Sequence, residues 1–330
     1  MTRMTSHDSQ TPLASEAPPA PPAPPAPETA PDPASLVPGP ASPAAVAQGL
    51  VDLLDLEQID EAVFEGYSNP QPGGHVFGGQ VMGQAISAMV RTIPAGRRIH
   101  SSYSYFLAPG APDVPIRFAV EQLRDGGSFS ARRVLATQET DDGSERTILS
   151  MTSSFQEEQD GLEHEERAPD APDPEGLATT AQVLEGIDHP VAQYWATQRP
   201  IDIRHVTDPI YIRPDGSASA TQMVWMRMIA PIDAPGGVHD AILAFASDYT
   251  PFEPILRRQG LSWVTPGLRV ATIDHAIWWH RHVDLNEWLL YVQRSPSAAG
   301  GRGLTEGRMF DRSGALVATV IQEGMVRIKH

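Results

Sequence analysis

Cysteine is absent from the 330 residues. That excludes a disulfide framework, a thiolate nucleophile and any zinc site built on cysteine. Basic side chains are scarce: 24 Lys and Arg stand against 41 Asp and Glu, for a formal net charge of -17. Nucleic acid is a poor partner for such a chain, because phosphates require clustered cations. An anionic small molecule would need a local group of arginines. No apolar run approaches the roughly 18–20 residues of a membrane-spanning helix. The opening stretch "MTRMTSHDSQTPLASEAPPAPP" lacks the apolar core of a secretory signal. The expectation is a cytoplasmic protein without a membrane span. His280 and His282 in "HRH" lack a third ligand, so no metal is expected.

Hydrophobic residues make up 41% of the chain, enough for sizeable cores. Residues 1–45 stand apart as a Pro/Ala-rich tail. Proline removes donors and fixes φ, so this tail is expected to be extended and disordered. The folded part then reads as two units. The first, 46–160, carries a helical pattern from Val76 to Arg91, followed by the strand-like runs "IHSSYSYFLAPG", "PIRFAVEQLR", "SFSARRVLATQE" and "RTILSMTSSFQEE". "RDGG" marks a hairpin turn between two of them. An acidic, Pro-containing linker is expected over 161–200.

The pattern returns in 201–330. "PGGVHDAILAFASDYTPFEPIL" is a second glycine pair before an apolar helix, and four strand-like runs follow. Apolar residues surround this helix on every side, which predicts burial. The weak repeat of one helix and several strands reads as a duplicated α+β domain. A sheet curled around each helix, with the two sheets joined edge to edge, would hide the edge strands.

The stretch "GGQVMGQAISAM", residues 78–89, invites a phosphate-loop reading. It has neither the G-x-G-x-x-G spacing nor the Lys of a P-loop, and no βα alternation follows. Gly78 and Gly79 instead predict a tight turn and a close helix–sheet approach. Free N–H groups at that helix start could still polarise a carbonyl.

"GGQVMGQAISA", "HSSYSYFLAPG", "RDGGSFSARRVLATQ", "ASDYTPFEP", "ATIDHAIWWHR", "NEWLLY" and "QEG" together resemble the acyl-CoA thioesterase II family. The resemblance runs from about residue 50 to the C-terminus. It implies a double hotdog fold and hydrolysis of acyl-CoA to free acid and CoA, with no cofactor. It also implies an Asp, a Thr (or Ser) and a Gln that hold the hydrolytic water. By motif these are Asp248, Thr272 and Gln322. Paired hotdog units usually assemble further, so a homo-oligomer is expected.

Read by themselves the residues are compatible with these roles, and equally with a turn-forming Asp, an ordinary strand Thr and an outward-facing Gln. Asp248 ends a nearly all-apolar helix, where a carboxylate needs partners and has its pKa raised by burial. Thr272 offers a hydroxyl from a strand. Gln322 interrupts an apolar strand with an amide that needs partners. Strand alternation places Thr272 and Asp274 on one face and His275 on the other. No G-x-S-x-G elbow supports a Ser-His-Asp hydrolase, so His275 is expected to be structural.

In the first unit Asp248 aligns near Gln84 and Gln322 with Ser154, so the chemistry is expected once per chain. Substrate contacts are expected from Gly78 and Gly79, and from Arg257, Arg258, Arg294 and Arg302 toward the CoA phosphates. Trp278, Trp279, Trp288, Phe245 and Met151 are candidates for the acyl channel. The alternatives are a hotdog hydratase or dehydratase, which would need a His–Asp pair, and a non-catalytic acyl-CoA binder.

Overall fold

The computed structural model describes residues 41–69 and 71–329. The expected tail therefore lies, up to residue 40, outside the described residues. Its last three positions are helical. Ser42 caps α1 (Pro43–Leu54), accepting from the Ala45 N–H at 3.2 Å, and Pro43 takes the first turn.

Two short strands follow, β1 (Glu57–Asp60) and β2 (Val63–Gly66), and then α2 (Gly78–Val90). Four long antiparallel strands complete the first half: β3 (Arg97–Phe106), β4 (Ile116–Asp125), β5 (Phe129–Glu139) and β6 (Glu145–Glu157). The "RDGG" turn closes with the Gly126 N–H donating to the Phe129 carbonyl at 2.8 Å.

Residues 161–200 are more than a solvated linker. Within them lie α3 (Thr180–Val183), closed by a capping box, and α4 (Pro190–Thr197). Acidic composition and proline hid these helices, which are short and rely on caps. The second half then runs β7 (Ile201–His205), β8 (Thr221–Met228), α5 (Gly236–Ser247), α6 (Glu253–Arg258), β9 (Leu268–Trp279), β10 (Leu289–Ala299), β11 (Arg302–Phe310) and β12 (Leu316–Ile328).

The twelve strands of the described residues form one sheet, ordered β1-β2-β4-β5-β6-β3-β9-β12-β11-β10-β8-β7. The halves meet where β3 pairs antiparallel with β9, from Ser101 opposite Trp278 to Tyr105 opposite Asp274. Two would-be edges are thereby joined. The two long helices pack on each other within one continuous hydrophobic core. This is the double hotdog architecture that the resemblance implies.

The helix pair explains the glycines. A Cβ on Gly79 would lie 2.4 Å from the Phe245 carbonyl oxygen, and one on Gly83 would lie 3.1 Å from that of Ala241. Gly237 meets Val90 at the opposite end. The helices thus run antiparallel in near backbone contact. The close approach predicted for the glycine pair is to the other helix at Gly79, and at Gly78 to the Phe106 side chain at the end of β3. Nine consecutive residues of α5, His239 to Ser247, are buried. No helix among the described residues is long and apolar enough to cross a membrane.

Candidate active site

Asp248 is the C-cap of α5 and is only 7% exposed. Its Oδ1 accepts a hydrogen bond from Thr272 Oγ1 at 3.1 Å. Thr272 Oγ1 in turn accepts from Gln322 Nε2 at 3.2 Å. The three sequence candidates therefore form one chain, amide to hydroxyl to carboxylate. Gln322 Oε1 is buried and has no partner among the described residues.

A β-bulge makes this possible. Between β9 and β12, Glu323 opposes Asp274 but Gly324 opposes Thr272, which leaves Ile273 as the extra residue. A bulge re-aims the side chains beyond it. Thr272 turns inward to Asp248, while His275 reaches Ser247 Oγ at 3.0 Å. Asp274 turns away and accepts the Glu323 N–H at 3.2 Å. The strict alternation that grouped Thr272 with Asp274 is broken at Ile273. His275 is fully buried, and desolvation holds its pKa down at about 3. The Ser247 hydroxyl donates to the Ala244 carbonyl at 2.9 Å, so His275 Nε2 is the donor to it, as a neutral ring.

Burial raises the Asp248 pKa to about 7. Hydrogen bonds from Thr272, from Gln322 and from the backbone N–H of Gly79 oppose that rise. The Gly79 contact crosses between the halves, since the start of α2 points at the end of α5. A Cβ on Gly78 would sit 2.8 Å from Asp248 Oδ2 and 3.1 Å from the Phe106 ring. Helix starts carry free N–H groups and partial positive charge, which suits a carboxylate.

This corner opens into a cavity of about 850 Å³. Asp248, Thr272 and Gly78 lie on its wall. The remainder is mostly apolar, with Phe77, Phe106, Trp195, Tyr249, Phe252 and Trp263 prominent. Two arginines, Arg199 and Arg269, also line it.

The arginines chosen from sequence do not line this cavity. Arg257 is 1% exposed and bound to Asp215, to Gln222 Oε1 and to the Asp208 carbonyl. It is a buried structural cation, out of reach of a substrate phosphate. Arg258 is exposed and donates to the Ala218 carbonyl, Arg294 pairs with Glu306, and Arg302 pairs with Glu323. Among the aromatic candidates, Phe245 stands behind the wall, 5.2 Å from the Phe77 ring and 5.6 Å from that of Tyr249. Met151, Trp279 and Trp288 are buried elsewhere in the cores, and Trp278 packs on Tyr103. The missed wall residues Tyr194, Trp195 and Arg199 sit in "QYWATQRP", an aromatic cluster inside the presumed linker.

A family model described as acyl-CoA thioesterase matches residues 196–325, and one described as its N-terminal domain matches residues 67–156. Acyl-CoA thioesterase 2 of Haemophilus influenzae is 36% identical over 289 residues, which span 86% of this chain and 98% of that protein. The chain belongs to the acyl-CoA thioesterase II family. The solved structure of acyl-CoA thioesterase II TesB2 from Mycobacterium marinum overlays with a TM-score of 0.67 at 35% identity, covering 85% of this chain and 98% of that one. A protein of hot dog fold from Alicyclobacillus acidocaldarius overlays equally well, at 0.67 over 86% and 99% of the two chains, with 19% identity, and shares the fold alone.

Within this thioesterase II chain the two helix ends are unequal. Counted from the glycine pairs, Asp248 matches Val90, the last residue of α2, rather than Gln84. Gln84 is buried, and its amide donates to the Leu53 and Tyr67 carbonyls, each at 3.0 Å. The strand pair β3–β6 carries its own bulge at His100, between Ile99 opposite Phe155 and Ser101 opposite Ser154. Counted from that bulge, Thr272 matches Ile99, and Gln322 matches Ser153 rather than Ser154. The second end thus offers valine, isoleucine and serine. Beside it, Asp240 is tied to Arg98 at 3.1 Å.

Proposed function

We propose that this chain hydrolyses acyl-CoA thioesters to free acid and CoA, with Asp248 as general base and Thr272 and Gln322 holding the attacking water. The observation that carries the reading is a buried carboxylate, reached by a hydroxyl and an amide, at the wall of an apolar cavity. A thioester carbonyl is electrophilic and its thiolate leaves readily, so a positioned water, a base and oxyanion donors suffice.

Water would lie against Asp248 and the partnerless Gln322 Oε1. Its oxygen attacks the carbonyl carbon while its proton passes to the carboxylate. A pKa of about 7 suits a base working near neutral pH. The Gly79 N–H already serves Asp248, which leaves the Gly78 N–H, first in α2, for the oxyanion. Collapse of the tetrahedral intermediate breaks the C–S bond, and protonated Asp248 returns its proton to the departing thiolate. Arg269, exposed on the cavity wall, is placed to meet CoA phosphates.

A hydratase would need a His–Asp pair, but His275 bonds to Ser247. The finer expectations, a homo-oligomer in the cytoplasm, belong to the same proposal. Exposed Tyr103, Tyr105 and Leu107 would supply apolar contact between copies, and light scattering checks it. The activity is tested by thiol release across short, medium and long acyl-CoAs, with Asp248→Asn alongside. Release by the native chain and its near-complete loss in the variant are expected. Equal release by both would remove Asp248 from the mechanism.

A further inference from the structure

One wall of the cavity is out of character with an apolar acyl chain. Arg199 follows α4 and faces the same space as Asp248. Its guanidinium lies 4.6 Å from the Trp195 ring, 4.8 Å from the Tyr249 ring and 6.0 Å from the Tyr211 ring. It bonds to the Tyr211 hydroxyl. No carboxylate among the described residues forms an ion pair with it, although most other arginines have one. Its Nε is buried without a partner among the described residues.

A cation placed among rings and left without a counter-charge is costly, and ring faces offset only part of the lost hydration. The cage holds the guanidinium still and leaves donors unspent. Bidentate capture of a planar anion is what such a fork does best. The position also matters. Tyr249 directly follows Asp248 in the chain and stacks on Phe77 at 4.9 Å, just before Gly78. One face of the cage is therefore built from the residue next to the proposed base. Yet Arg199 is not among the groups that perturb Asp248. It is placed to recognise the substrate rather than to tune the base.

We infer that Arg199 is a specificity-determining residue that receives a carboxylate carried by the acyl group, so that carboxyacyl-CoA thioesters are preferred over methyl-ended chains of equal length. This rests on the thioesterase reading above. The other anions on the substrate are the CoA phosphates. An aromatic cage with one cation suits a single carboxylate better than a hydrated, multiply charged diphosphate, and exposed Arg269 is the better match for the latter.

The test compares kcat/KM for a carboxyacyl-CoA series with that for plain acyl-CoAs of matched length, in the native chain, Arg199→Leu and Arg199→Lys. The native chain should prefer the carboxylated series. Arg199→Leu should collapse the ratio between the two series by roughly 10- to 100-fold, the worth of a hydrogen bond to a charged group. Arg199→Lys should keep part of it. Equal loss on both series, or no native preference, would show that the arginine is only a packing element.

Calorimetry with non-hydrolysable thioether analogues, carboxylate-ended and methyl-ended, reads the same preference without turnover. If neither series releases thiol but the carboxylated thioether binds more tightly and Arg199→Leu erases the difference, the activity reading fails while this inference stands. Weakened binding of free CoA in Arg199→Leu, equal to the loss on carboxyacyl-CoA, would assign the cage to a phosphate and overturn the inference.

Discussion

The backbone N–H of Gly79, at the start of the first half's long helix, donates to the carboxylate of Asp248, at the end of the second half's. One residue supplies a donor across the molecular seam, and the other depends on it. Gly79→Ala tests the link. The added methyl would meet the Phe245 carbonyl at 2.4 Å, a backbone atom that cannot swing aside. Unfolding by urea should show a loss of about 1–3 kcal/mol, the usual cost of overpacking. Turnover should fall beyond what the lost folded fraction explains. Gly49→Ala is the contrast: it lies inside α1 with nothing within 4 Å, and should stabilise by about 0.5–1 kcal/mol.

The rate should follow the ionisation of Asp248. Burial lifts its pKa to about 7, and only the ionised form accepts a proton. The pH profile of kcat/KM should therefore rise through neutrality and level off above it. A profile flat from acid to neutral pH would separate Asp248 from proton transfer.

The same group sets a stability slope of known sign. Its folded pKa exceeds its unfolded value of 3.8, so the folded state holds the proton longer. The stability this contributes is full below the unfolded pKa and is lost as pH rises through about 7. Asp248→Asn removes the buried charge. Thermal melting at alkaline pH should find the variant more stable than the native chain, and the gap should close on acidification. The variant should gain stability under the conditions where it loses its chemistry.

Thr272→Val keeps the shape and deletes the hydroxyl. The Thr272 hydrogen bond lowers the Asp248 pKa, so its loss should move the acidic limb of the rate profile to higher pH. The rate on the plateau should also drop, by about 10²–10³-fold if the hydroxyl is needed to aim the water. An unshifted limb with an unchanged plateau would leave Thr272 as an ordinary strand residue.

Arg257→Ala should act on folding, not on CoA affinity. The arginine is buried against Asp215, and its removal leaves a carboxylate in the interior without its cation. Breaking such a pair costs about 3–5 kcal/mol. A folded variant with a raised KM and unchanged melting would restore the substrate role expected from sequence.

Long, periodic elements were legible in the sequence. The α2 and α5 patterns and the eight strands β3–β6 and β9–β12 follow from 3.6- and 2-residue periods and from glycine punctuation. The three candidate residues came from the family resemblance. Two of them also break an apolar context, an acid at the end of a greasy helix and an amide in an apolar strand, whereas Thr272 alone reads as an ordinary strand threonine. What escaped had no such contrast. Ile273 carries nothing in its type to announce a bulge, yet it decides which way Thr272 points. Short α3 and α4 depend on caps and on a surface supplied from elsewhere in the chain, so composition alone marked them as linker. Arginines near "EPILRR" looked available because charge is visible in a sequence and burial is not. Arg199 was passed over because two of its three rings, Tyr211 and Tyr249, come from other segments of the chain.

The β3–β9 pairing has one more implication. Severing the chain between its halves would not release two smaller enzymes. It would expose two long strand edges, each a template for self-association. One fragment would keep the glycines with nothing to hold, and the other the acid with nothing to steady it. The unequal helix ends form an asymmetry that only the intact polypeptide can sustain.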